Sequence, residues 1–274
     1  MTSREVAGRL GAVARPAAIK VPEITAWFWV AKVLTTGMGE ALADFVYFRY
    51  GKAPTAAFGA ILLAGALVLQ FRSRRYNTWI YWLAVTAVAV TGTMAADGLH
   101  LVVGLPYTET TLLYAVVLAI IFAAWYLSEG TLSIHSITTF RRELFYWATV
   151  MATFALGTAL GDLTAITFKI GFFSSAVLFL VVIAIPAVAW RLGMNSVLAF
   201  WFAYTVTRPL GASVADWLGV THRLGGLGWG RGVVAALMTV PIVAVVAYMA
   251  ISGVDVARER EPAQFPGRAR HRAA

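Results

Sequence analysis

Seven ionisable residues interrupt otherwise apolar stretches of the chain: Lys32, Glu40, Asp44, Asp97, Asp162, Arg208 and Asp216. Their spacing repeats. Each aspartate stands fifteen residues after a tryptophan (Trp29, Trp82, Trp147, Trp201), and each tryptophan follows another aromatic (Phe28, Tyr81, Tyr146, Phe200). A glycine lies ten residues after each tryptophan (Gly39, Gly92, Gly157, Gly211) and a small residue at fourteen (Ala43, Ala96, Gly161, Ala215). Four gapless copies define an internal repeat. On a helix, position eleven shares a stripe with the aspartate, and it holds Glu40, Thr93, Thr158 and Ala212. Carboxylates and hydroxyls, in a chain without cysteine, suit hard cations such as Mg²⁺, Mn²⁺ or Ca²⁺. The candidate ion-binding set is therefore Glu40, Asp44, Asp97, Asp162, Asp216, Thr93 and Thr158. Glu40 and Asp44 are the candidate metal ligands, because two carboxylates one turn apart need a proton or a cation between them. Lys32 and Arg208 are candidates for gating or counter-charge.

An ionisable residue deep in a membrane span costs at least ~2.5–3.5 kcal/mol, so it is either used or paired. The competing reading is structural, with each aspartate pairing with Arg208, Lys32 or Lys169 to hold a bundle together. The aromatic pairs read as anchors at a membrane border. Arg208 followed by Pro209 should interrupt the fourth copy, since proline removes a backbone donor.

The elements that carry these residues follow from composition. Of 274 residues, 60% are hydrophobic and 13% charged, with a mean hydropathy of +0.75; a soluble domain carries about 25% charged residues. The spacing predicts an all-α integral membrane protein with about eight transmembrane helices, over 24–48, 55–71, 78–100, 110–128, 143–168, 171–190, 195–217 and 231–251. They form four parallel two-helix repeats (24–71, 78–128, 143–190, 195–251), each a motif helix followed by a plain one. The motif helices, with small residues for close approach, should form an inner layer and the plain helices a lipid-facing one. Bulk at Gly157 should then overpack, whereas bulk at Ala66 on a plain helix should be tolerated.

Residues 1–22 read as a basic arm without the apolar core of a signal peptide, and 253–274 as a disordered basic tail. Of the Lys and Arg residues outside spans, 15 fall with the two ends and alternate loops and 5 on the opposite side. Both ends should therefore be cytoplasmic. The net charge of +9 follows from this border bias, and nucleic acid is not an expected partner.

The recurring aromatic-Trp…Gly…Asp unit resembles a family of bacterial inner-membrane proteins built from a four-fold repeat of unknown function and described as membrane-anchored. The resemblance covers about residues 24–250 and implies a multi-pass inner-membrane protein. Repeated acidic motifs in paired helices are also loosely similar to those of cation exporters, manganese exporters among them. The chain lacks the acid-x-Gly-Asp-basic signature of those exporters. No nucleotide-binding, zinc-protease or nucleophile-elbow motif is present, so neither an enzyme nor a bound cofactor is expected. The sequence reading is a transporter or permease for a small cation, such as a divalent metal, coupled to protons. The alternative is a scaffold or partner subunit whose repeated residues are structural. The lipid bilayer and a small cation are the expected partners.

Overall fold

The computed structural model describes residues 19–256. The N-terminal arm before Ile19 and the tail after Val256 lie outside the described residues. The helices are α1 (Ala26–Tyr50), α2 (Lys52–Arg72), α3 (Thr78–Asp97), α4 (Tyr107–Glu129), α5 (Phe140–Asp162), α6 (Phe172–Val182), α7 (Ala184–Arg191), α8 (Ser196–Gly219) and α9 (Arg231–Ser252). The four motif helices α1, α3, α5 and α8 each start on a side-chain cap. Thr25 accepts from Phe28 N, Asn77 from Ile80 N, Thr139 from Arg142 N, and Asn195 from Val197 N. Such caps satisfy amides that a helix start leaves unpaired. The plain helices α2, α4 and α9 begin without one, after Gly51, Pro106 and Gly230.

Two sequence expectations change. The third plain helix is broken at Ile183 into α6 and α7, three residues before Pro186. By contrast, α8 runs unbroken past Pro209. Beyond Asp97 and Asp162 the helices widen into π turns, Gly98–Val103 and Leu163–Thr167.

Six helical rods are long and apolar enough to cross a membrane, among them Thr78–Val103 and Phe140–Thr167 with their π turns. The other two long helices are α1 and α8. They hold Lys32, Glu40, Asp44, Arg208 and Asp216, and these charges lower their apolarity. In the most apolar stretches of α3 and α5, 67% and 72% of residues are buried, against 17–28% in the plain rods. The motif helices are the inner layer.

That layer is a closed ring. The residue seven after each tryptophan packs into the glycine ten after the tryptophan of a neighbouring repeat. A Cβ on Gly39 would lie 2.5 Å from Ala89 Cβ, one on Gly92 2.5 Å from Phe154 Cβ, one on Gly157 2.5 Å from Arg208 Cβ, and one on Gly211 2.8 Å from Thr36 Cβ. The order α1–α3–α5–α8–α1 returns to its start with the same pair of positions at each step. Only parallel helices at one level can repeat a contact in this way. Each plain rod packs mainly on the inner helix of the following repeat: α2 on α3, α4 on α5, α6–α7 on α8, and α9 on α1. The outer layer therefore has its own inward face. Ala66 of α2 is buried, at 3% exposure, so it is not a tolerant position; the open site beside it is Gly65.

Candidate functional site: a buried charge centre beneath a ring of aspartates

The tryptophan end of the ring is filled by rings. Phe28, Tyr81, Trp82, Tyr146, Trp147 and Trp201 are nearly fully buried. The Tyr81 and Tyr146 hydroxyls hydrogen-bond to each other, and Phe28 packs against Trp82, Phe200 and Tyr204. This corrects the reading of the repeated aromatics as border anchors. Seven of the eight are the core of the bundle, because aromatic pairs at one level of a closed ring point at one another or at the neighbouring helix; Trp29 is half-buried, against Phe28 and Phe200. Trp79, Trp190 and Trp229 are exposed instead.

One turn further along, Lys32 is 1% exposed. Its Nζ lies 3.8 Å from the Phe154 ring centroid and 4.0 Å from that of Tyr204. Two aromatic faces attract an ammonium electrostatically. No carboxylate pairs with Lys32 among the described residues, so it is not the counter-ion that its sequence position suggested.

The centre of the ring is Arg208. Its Nη2 donates to Glu40 Oε2 at 2.5 Å and to Thr158 Oγ1 at 2.7 Å, and it also contacts Thr93 Oγ1. Nη1 donates to the Thr36 carbonyl and Nε to the Phe154 carbonyl at 3.3 Å. The hydroxyls of Thr93 and Thr158 each donate to Glu40 Oε2 at 3.1 Å. Position eleven of three repeats thus converges on position seven of the fourth. Arg208 and Glu40 are both inaccessible, with 0% and 4% side-chain exposure. A guanidinium presents five donors in a fixed fork. Here the fork engages a carboxylate, two hydroxyls and two carbonyls, which is how such a charge is tolerated away from water.

The sequence placed Thr93 and Thr158 among ion ligands. In the structure their hydroxyls are turned to Glu40 and Arg208.

At the far end lie the aspartates. One oxygen each of Glu40, Asp44 and Asp97 falls within 4.8 Å of the others. Asp162 and Asp216, at the same repeat position, are 9% and 8% exposed and are not in that group. Asp44 is paired: Arg231, which opens α9, donates to it at 2.5 Å and lies over the Phe48 ring at 4.2 Å. Asp97 has no side-chain hydrogen bond or ion pair among the described residues. With Arg231 counted, the five acids face three bases, a formal −2.

Sequence reasoning missed four participants. Arg231 looked like a loop residue. Thr36 lacked a charge, and position seven, which it shares with Ala89, Phe154 and Arg208, carries no common residue type to mark it. Glu143, at the start of α5, is fully buried, bound by Lys20 Nζ at 2.6 Å and Gln70 Nε2 at 2.9 Å. Asp255 accepts from Tyr76 at 2.5 Å and Thr78 at 3.0 Å, and its carbonyl accepts from Glu23 N at 2.9 Å. Burial, and then the Asp255 carboxylate beside it, push the Tyr76 phenol well above its usual range. These contacts close the tryptophan end and bring the 19–25 and 253–256 segments together.

A closed ring of four parallel helices with buried charge, jacketed by apolar rods, defines a multi-pass helical membrane protein. The chain belongs to the family described as Repeat of Unknown Function (DUF347), whose family model matches it four times, at 27–76, 80–131, 145–193 and 199–254. Comparisons with curated proteins and with solved structures found no match.

Proposed function

We propose that this protein is a non-enzymatic carrier for a small cation, embedded by all eight helical rods in the bacterial inner membrane with both ends in the cytoplasm. The observation that supports this reading is the approach of Glu40, Asp44 and Asp97 to within 4.8 Å. Oxygen donors of this type favour Mg²⁺, Mn²⁺ or Ca²⁺ over softer metals. Asp97 supplies the unpaired carboxylate, Asp44 shares its charge with Arg231, and Glu40 links the group to Arg208. A cation arriving at the aspartates competes with Arg208 for Glu40, as a proton does, and that competition is the proposed coupling. Arg208 is fully buried and bonded to α1, α3 and α5 at once, which favours a carrier that rearranges over a fixed pore.

The alternative, a scaffold, is favoured by one observation: the Arg208–Glu40 pair and the glycine interlock both tie neighbouring helices together. The test is flux of Mn²⁺, Mg²⁺, Ca²⁺, Na⁺ and K⁺ into proteoliposomes, with and without a pH gradient, for wild type and Asp97→Asn. Asp97 is the clean probe, because removing its charge orphans no partner. Cation flux lost in Asp97→Asn supports the carrier. No flux for any ion, with Asp97→Asn as stable as wild type or more so, supports the scaffold.

A further inference from the structure

The four-fold arrangement is broken at one place on its outside. In repeat two, Trp125 of α4 is fully buried. It stacks on Phe145, two residues before Trp147, at 6.2 Å between centroids, and meets Trp201 of the next motif helix at 5.8 Å. The matching trio in repeat three is Trp190, Ala199 and Trp29. Ala199 offers no ring where Phe145 does, and Trp190 remains 56% exposed. Met249 and Gln70 are buried towards the corresponding ends of α9 and α2, at 0% and 3% exposure. In α7 only Pro186 is buried. A cavity of about 610 Å³ opens there, between α1, α7 and α8, and Trp29, Trp190 and Ala199 all line it.

We infer that this groove binds one acyl chain of a bilayer phospholipid. Its wall on α8 runs from Ser196 to Thr207, eleven residues or about 16 Å of helix, and half of a hydrocarbon core of about 30 Å is one leaflet. The lining is apolar except for hydroxyls, with Thr25 and Ser196 at the tryptophan end. Exposed Arg191 follows Trp190 at that end and offers a guanidinium to the lipid phosphate. The chain takes the place that Trp125 fills in repeat two. The floor of the groove is the α1–α8 seam, where Thr36 Oγ1 donates to the Thr207 carbonyl at 3.3 Å. The occupant therefore lies against the helices that carry Lys32 and Arg208.

The experiment uses the full chain in proteoliposomes containing phosphatidylglycerol with a diazirine midway along one acyl chain. After irradiation, adducts are mapped by peptide mass spectrometry. The expected result is adducts concentrated at 29–33 and 199–203, and their loss in Ala203→Trp and in Ala187→Trp. Adducts on exposed Leu112 and Val240 should remain in both variants. Ala187 is exposed on α7, so its variant keeps the test open if Ala203→Trp does not fold. Groove labelling no denser than that of Leu112 and Val240, or unchanged in Ala187→Trp, overturns the assignment. Labelling by a free diazirine fatty acid but not by the phospholipid overturns it too.

Discussion

Glu40→Gln tests the charge centre most directly. A lone buried carboxylate would be a liability, and its neutralisation would stabilise the protein. Glu40 is instead the only charged partner of Arg208 within 4 Å among the described residues. Glutamine keeps an oxygen for the Thr93 and Thr158 hydroxyls but leaves the guanidinium buried without a counter-charge. Breaking a buried pair by removing one partner costs about 3–5 kcal/mol, and the retained acceptor argues for the lower figure. At about 2–4 °C per kcal/mol for a chain of this size, the melting temperature in detergent should fall by about 6–12 °C. The double variant Glu40→Leu/Arg208→Met removes both charges and should recover most of that loss, because paired apolar replacement of a buried ion pair is commonly neutral or better. The reasoning fails if Glu40→Gln melts with wild type, or if the double variant melts as low as the single one.

Gly157→Leu forces bulk into Arg208 and Pro209 and should cost at least about 1–3 kcal/mol, whereas Gly65→Ala meets nothing within 4 Å and should melt at or above wild type. Asp255→Ala strips the acceptor from Tyr76 and Thr78 and should cost about 1–3 kcal/mol in the same assay. The raised Tyr76 phenol holds its proton in the folded state, so its contribution is complete below pH of about 10 and is lost as pH rises beyond it. Tyr76→Phe should accordingly show a smaller alkaline loss of melting temperature than wild type; an equal loss would remove Tyr76 from that transition. Reporter fusions after Lys20 and after Arg258 should both read cytoplasmic, and a periplasmic signal at either would overturn the orientation.

The parallel repeats were legible in the sequence because the Trp-to-Asp spacing is invariant across four copies, and identical spacing on parallel helices places like residues at one level. The inner layer was legible for the same reason: Gly39, Gly92, Gly157 and Gly211 announce close contact. What each glycine contacts was not, since the partner at position seven is Ala89, Phe154, Arg208 or Thr36, four side chains with nothing in common but register. The Arg208–Glu40 pair spans 168 residues of sequence, and no local pattern encodes it. Asp44–Arg231 was hidden because Arg231 borders a glycine-rich connection and looks like a loop charge. The aromatic pairs misled through composition, as Trp and Tyr suit both a membrane border and a packed core, and only the closure of the ring decides between them.

A ring has no first member. Repeat four closes on repeat one through the Gly211–Thr36 contact as repeat one closes on repeat two through Gly39–Ala89. The strands of chain that enter and leave the ring meet in a backbone hydrogen bond of 2.9 Å between Glu23 and Asp255. The order in which the four units are translated is therefore free of the architecture. A circular permutant opened between α2 and α3, with the old ends joined by a short linker, would rebuild the same bundle. Arg208, bonded to residues of the other three units, would close the same centre wherever the chain began.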